Sequence, residues 1–231
     1  MRRISLILIF AAHQSGDAHL FEFAELRFRP IEKDDLKWLH VWENDFETMM
    51  YNRSQPLCTI SMSQFEERYS EWMKDEKSLN FIVENTALKE PIGTAGIHRD
   101  KWSNVPTATI GTYIGKKECW EKGFGTKITV ALLEMGFIHL GLNSCQAGSV
   151  EYNTRAHRTL EACGFKKCGI VREVVFVAGK KWAMLHFDVL REEYMDIRIN
   201  LLKKTLGDSV QDYLKKNEPA FKPTKIKEDA L

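Results

Sequence analysis

At 231 residues the chain has room for one large domain, or one domain with extensions, around a sizeable core. Hydrophobic residues make up 44% and charged residues 28%, and 33 basic against 32 acidic side chains leave a net charge of +1, which argues against a nucleic-acid binder. Five cysteines, Cys58, Cys119, Cys145, Cys163 and Cys168, form no CxxC pair, so neither a disulfide framework nor a metal site is expected and a reducing cytoplasm is the simplest setting.

Met1-Arg2-Arg3 precedes an apolar run from Ile4 to Ala12, the look of a secretory signal's first part. The run is too short to span a bilayer and no clear small-x-small cleavage site follows. A misassigned start, or an extra strand packed on the domain, is the plainer account of it, and no membrane association is expected. Residues 1–25 are read as an extension, 26–194 as the domain, and 195–231 as a C-terminal helix with a disordered tail.

A strand is expected over Leu26–Pro30 and a helix over Asp34–Asn44. A second helix follows over Met62–Asp75, where Ser61 and Gln64 make a capping box and Phe65, Tyr69, Trp72 and Met73 recur at helical spacing. Strands are read at Leu79–Glu84, Ile92–His98 and Ala108–Ile114. Then come a glycine-containing loop, a long apolar helix over Thr126–Leu140, a strand at Ser144–Val150 and a helix at Asn153–Cys163. Strands at Lys167–Phe176 and Trp182–Leu190 flank a turn at Ala178-Gly179, and a charged helix runs from Glu192 to Leu214. A meander followed by βαβαββ is an α/β (α+β) mixed sheet with helices on both faces.

The stretch Ile110–Thr126 ends a strand, passes through Gly123 and Gly125, and opens the long helix. A helix N-terminus offers unpaired N–H groups and a positive dipole end, and glycine lets an anion approach that backbone closely. Lys122 and Lys127 add charge. Such a loop suits a diphosphate, although an ordinary turn has the same look; the Walker A and Rossmann patterns are both incomplete here. Downstream, Asn153-Thr154-Arg155-Ala156 opens a helix that ends at Gly164-Phe165, with Asn153 equally readable as a plain N-cap.

Taken together, the string GFGT–helix–strand–NTRA–helix–GF resembles the GNAT superfamily of N-acetyltransferases. Gly123 and Gly125 fall on the glycines of its Q/R-x-x-G-x-G/A motif, and Asn153, Ala156, Gly164 and Phe165 on N-x-x-A…GF. The segments Leu26–Leu36 and Arg172–Lys180 resemble the branch of ribosomal-protein N-terminal (Rim-type) acetyltransferases. The resemblance covers about Leu26 to Tyr194 and implies a single GNAT-like domain with a splayed central mixed sheet. It implies that Thr112, Tyr113 and Ile114 pair with the pantetheine of acetyl-CoA. It places the pyrophosphate on the loop of Trp120, Glu121, Lys122, Gly123, Phe124, Gly125 and Thr126, and the CoA arm against Asn153. It brings an amine acceptor, a peptide N-terminus or a small molecule, from the other side of the split for direct attack without a covalent enzyme intermediate.

Four positions depart from the family pattern. Trp120 stands at the Q/R position, Leu160 where many members carry a tyrosine acid, Thr109 where a glutamate is frequent, and Ala183 where an aspartate is frequent. The acid–base candidates are then His98, Glu84, Tyr113 and His186, with His98 chosen because imidazole titrates near neutral pH. Trp102 is a candidate cover for the acceptor. A polyamine or antibiotic acetyltransferase, and an acyl-CoA-binding module without turnover, are the alternatives. The oligomeric state is left open, a homodimer included.

Overall fold

In a computed structural model of the chain, residues 21–52, 59–72, 74–75, 77–100 and 104–217 are described. The apolar run at 4–12, Cys58, Met73, Trp102 and the tail beyond 217 lie outside them. Fifteen main elements follow in order: β1 (Phe21–Phe23), β2 (Leu26–Pro30), α1 (Leu36–Glu43), α2 (Phe46–Asn52), α3 (Met62–Trp72), β3 (Ser78–Asn85), β4 (Glu90–Arg99), β5 (Thr107–Ile114), α4 (Phe124–Glu134), β6 (Ser144–Val150), α5 (Thr154–Ala162), β7 (Lys166–Val177), β8 (Lys180–Leu190), α6 (Arg191–Leu206) and α7 (Val210–Asn217). Among the described residues no helix is long and apolar enough to cross a membrane.

The local signals explain most of these. Ser61 N–H donates to Gln64 Oε1 at 3.0 Å and Gln64 N–H to Ser61 Oγ at 3.3 Å, the reciprocal cap that starts α3. Asn153 Oδ1 accepts from Ala156 N–H and caps α5. The long helix read at Thr126–Leu140 begins two residues earlier, at Phe124, and its last stretch, Met135–His139, widens into a π-turn. The helix read at Glu192–Leu214 is broken at Gly207–Ser209 into α6 and α7.

The eight strands make one sheet in the order β1-β2-β3-β4-β5-β6-β8-β7. β1 lies within the segment read as an extension, so the sheet starts before the expected boundary; Phe21 stacks on Phe28 at 4.2 Å between ring centroids. Every neighbouring pair is antiparallel except β5 and β6, which α4 connects as a parallel crossover. Those two pair only over Thr107–Thr109 and Ser144–Gln146. Beyond that point β5 stays with β4 and β6 with β8, so the sheet opens into a split.

Strand alternation assigns the two faces. Ala95, Ile97, Ala108 and Ile110 join the buried face of α4 (Ile128, Leu132) in the main core. On the other face a smaller cluster gathers Leu36, Leu39 and Trp42 of α1, Phe65 of α3 and Ile82 of β3. α6 belongs to the main core rather than to an appendage: Tyr194, Leu201 and Leu202 are buried in it, and Arg198 forms a two-pronged ion pair with buried Glu134 of α4.

Candidate active site

A cavity of about 640 Å³ crosses the sheet at the split. On β5 it is lined by Gly111, Thr112, Tyr113 and Ile114, and on β6 by Ala147, Gly148 and Ser149. From Ile110 onward β5 pairs only with β4, so backbone groups on its other edge face the cavity. At the far end of β5 the loop brings in Trp120, Glu121, Gly123, Gly125 and Thr126, and Asn153 comes from the start of α5. Nine of the eleven expected coenzyme residues therefore meet around one space. The other two do not line it: the Phe124 ring is buried in the main core, and Lys122 points to solvent. Lys127 is turned away as well, its ammonium 2.5 Å from Glu25.

The chemistry of the lining fits an acyl-CoA. Gly123 caps α4 at φ 81° with no side chain, and a Cβ there would meet nothing within 4 Å, so the first-turn N–H groups of the helix are open to an anion. Gly125 faces α5, its Cβ position lying in ordinary contact distance of Thr159 Oγ1, 3.7 Å. Ser149 Oγ is buried in the cavity wall without a protein hydrogen-bond partner, which leaves it able to bond a polar group of a ligand or a water. Trp120 Nε1 donates to Ile114 O at 2.8 Å, fixing the loop to the end of β5.

Sequence reading missed a strap over this cavity. α2 contributes Thr48, Tyr51 and Asn52 to the lining. Its end is tied to the β6–α5 turn by Asn153 Nδ2 donating to Tyr51 O at 3.1 Å and by Tyr152 OH donating to Met50 O. The Arg155 guanidinium sits between two rings, 4.4 Å from the Tyr51 centroid and 4.2 Å from Trp120. The signal for α2 was Asp45, whose carboxylate accepts from Thr48 N–H at 2.9 Å as a cap would.

The acid–base candidates separate cleanly. Glu84 is held by Arg29 at 2.8 Å; Tyr113 lines the cavity, but its OH donates to Trp42 O at 3.0 Å. His186, on β8, is exposed and opposite Gly148. His98 does not line the cavity; it stands at the end of β4 on the α1–α3 side, its Nδ1 2.8 Å from Ser78 Oγ. Burial of part of its ring pushes its pKa below the usual 6.5, opposed by the Asp75 charge. Leu160 lines the cavity where a tyrosine acid would have stood. Burial pushes the Cys145 and Cys163 thiols up to about 12, so both are packing residues and not nucleophiles.

Residues 25–166 match the family model described as an acetyltransferase (GNAT) domain. The uncharacterized N-acetyltransferase p20 of Bacillus licheniformis is 26% identical over 170 residues, covering 73% of this chain and 94% of that protein. The spermidine N(1)-acetyltransferase of Vibrio cholerae is 25% identical over 178 residues, covering 75% and 97%. The crystal structure of spermidine N-acetyltransferase from Vibrio cholerae in complex with CoA and spermine superposes with a TM-score of 0.67 at 25% identity, over 74% of this chain and 98% of that one. The family match takes in more than half of the chain, including both strands of the split and the loop and helix between them; the chain belongs to the acetyltransferase (GNAT) domain family and is an N-acetyltransferase.

Proposed function

We propose that the protein transfers the acetyl group of acetyl-CoA to a small aliphatic primary amine, by direct attack in a ternary complex. The observation that carries this reading is the cavity that crosses the sheet, since it lets a coenzyme on the α4 side and an acceptor on the other side meet at Gly111 and Gly148. The relatives named as spermidine acetyltransferases support the amine class. Those names do not reach the ribosomal-protein branch that the end segments resemble.

Acetyl-CoA, when bound, supplies an activated acetyl thioester. The N–H groups of Gly123 to Thr126 hold its diphosphate, and the free edge of β5 at Thr112–Ile114 aligns its amide-bearing arm. Asn153 keeps α2 closed over that arm, because Oδ1 caps α5 while Nδ2 holds Tyr51. Holding the two reactants in line is the main source of acceleration, worth roughly 7–11 kcal/mol in the best intramolecular cases.

A peptide N-terminus is the second reading, favoured by one observation: among the described residues Glu121 is the single carboxylate in the cavity lining. Without further acidic groups, an α-amine of pKa about 7.8 reaches the site neutral more readily than an alkylamine near 10.4. The test is release of free thiol from acetyl-CoA against spermidine, simple diamines, N-terminal peptides and lysine peptides. Turnover with the diamines and spermidine is expected. Turnover confined to N-terminal peptides would replace the first reading with the second, and tight CoA binding without thiol release from any of them would overturn both.

A further inference from the structure

Ser78 opens β3 directly opposite His98 of β4. Its hydroxyl oxygen lies 2.6 Å from Asp75 Oδ2 and 2.8 Å from His98 Nδ1. A hydroxyl has one proton, and an ionised carboxylate only accepts, so that proton goes to Asp75. Ser78 Oγ is then an acceptor toward His98, which places the ring proton on Nδ1 and leaves Nε2 with its lone pair. Asp75 is itself fixed, its N–H donating to Trp72 O at 3.1 Å and its Oδ1 accepting from Lys77 N–H at 3.1 Å.

The direction of the ring is set as well as its tautomer. A Cβ built on Gly96 would stand 3.0 Å from His98 Nε2, so the ring folds back along β4 over that glycine. Gly96 pairs with Gly111 of β5, whose Cβ position has nothing within 4 Å and which lines the cavity at the split. One strand spacing of about 4.8 Å therefore separates the ground under Nε2 from the opening. Across the split, Gly148 continues the same row, because Thr109 pairs with Gln146 and Gly111 and Gly148 are each two residues further on. Gly96, Gly111 and Gly148 make a side-chain-free floor beneath the imidazole.

We propose that Asp75 and Ser78 are positioning residues that present His98 Nε2 as the general base of acetyl transfer, over the glycine floor by which the amine reaches the split. The proposal rests on the acetyltransferase reading above. His98 Nε2 takes the proton shed by the amine nitrogen as its bond to the acetyl carbon forms. The C–S bond breaks, its electron pair leaves with the thiolate, and the thiolate takes a proton from water. His98 returns its own proton to solvent. Among the described residues, the groups facing the ring are Asp75 from the turn before β3, Ser78 and Asn80 from β3 and Thr109 from β5; Arg99 alternates to the opposite face.

The test pairs kinetics with a readout that needs no turnover. In the unliganded protein, the ¹⁵N shifts of the His98 ring are expected to show the Nδ1–H tautomer. Ser78→Ala is expected to lose that bias and Ser78→Thr to keep it; an Nε2–H tautomer in the native protein overturns the proposal. With the amine that turns over, Ser78→Ala is expected to lower kcat by about 10- to 100-fold, less than the roughly 10²- to 10⁴-fold of general base catalysis because His98 itself remains, with the Kd for CoA unchanged and Ser78→Thr restoring activity. Asp75→Asn keeps a hydrogen-bond acceptor but removes the charge that raises the His98 pKa. The acid limb of kcat/KM is therefore expected to move to lower pH in that variant, which loss of fold alone would not do. A His98→Ala protein within two-fold of wild type would overturn the base assignment and leave the acetyltransferase reading standing. No thiol release from the native protein with any amine would overturn the reading on which the assignment rests.

Discussion

Glu134 keeps a carboxylate at 2% exposure in the core, and three side chains from the C-terminal helices answer it. Arg198 donates from Nε and a terminal nitrogen at 2.7 and 2.8 Å, Tyr194 OH at 2.6 Å and Tyr213 OH at 3.3 Å. Burial and the neighbouring carboxylate drive both phenols well above their ordinary pKa, so they act purely as donors. Arg198→Met leaves the carboxylate with neutral partners only. Its expected cost is about 3–5 kcal/mol, read as a fall in the urea midpoint, because an uncompensated buried charge outweighs the interaction lost. Glu134→Leu combined with Arg198→Met is expected to recover most of that; a double variant as weak as the single would contradict the account. None of this was readable from the chain, where Glu134 and Arg198 look like ordinary helix-surface charges 64 positions apart. Asn153 was readable, because an N-cap is set by residues within one helical turn.

At the scale of elements, the end of α4 carries the argument for the coenzyme. Gly123 adopts φ 81° where the loop turns into the helix. A side chain there costs about 1–2 kcal/mol for the left-handed backbone and shifts the loop that presents the first-turn N–H groups of α4. Gly123→Val is expected to raise the Kd for CoA at least ten-fold by calorimetry while the protein still folds; an unchanged Kd would mean that the diphosphate is held elsewhere. The elements themselves were mostly legible: β2 and β6 match the expected residues, and α3, α5 and the turn at Ala178-Gly179 match closely, since periodicity and turn residues act within a few positions. α2 was not read, because its seven residues are too few to show a period, and half of its role is to meet Tyr152 and Asn153 from across the split. The π-turn after Glu134 had no local signal.

For the whole molecule, α6 and α7 close the core beside α4, and Leu202 and Val210 are buried with the strands. A chain ending at Leu190 would expose that surface and leave Glu134 unpaired. It is expected to lose cooperative thermal unfolding, whereas a two-state transition near that of the full chain would show that the C-terminal helices are an appendage after all. The same whole-molecule scale governs the site. The sequence by itself determined the glycine loop that opens α4, the cap at Asn153, most of the order of elements and the family resemblance, because each depends on neighbours along the chain. Only the tertiary structure decided that β5 and β6 part after Thr109, that three glycines from three strands share one row, and that Ser78 stands between Asp75 and His98. Strand partners are chosen by burial and register over long separations, and a hydrogen-bonded series across two strands exists only once that register is set.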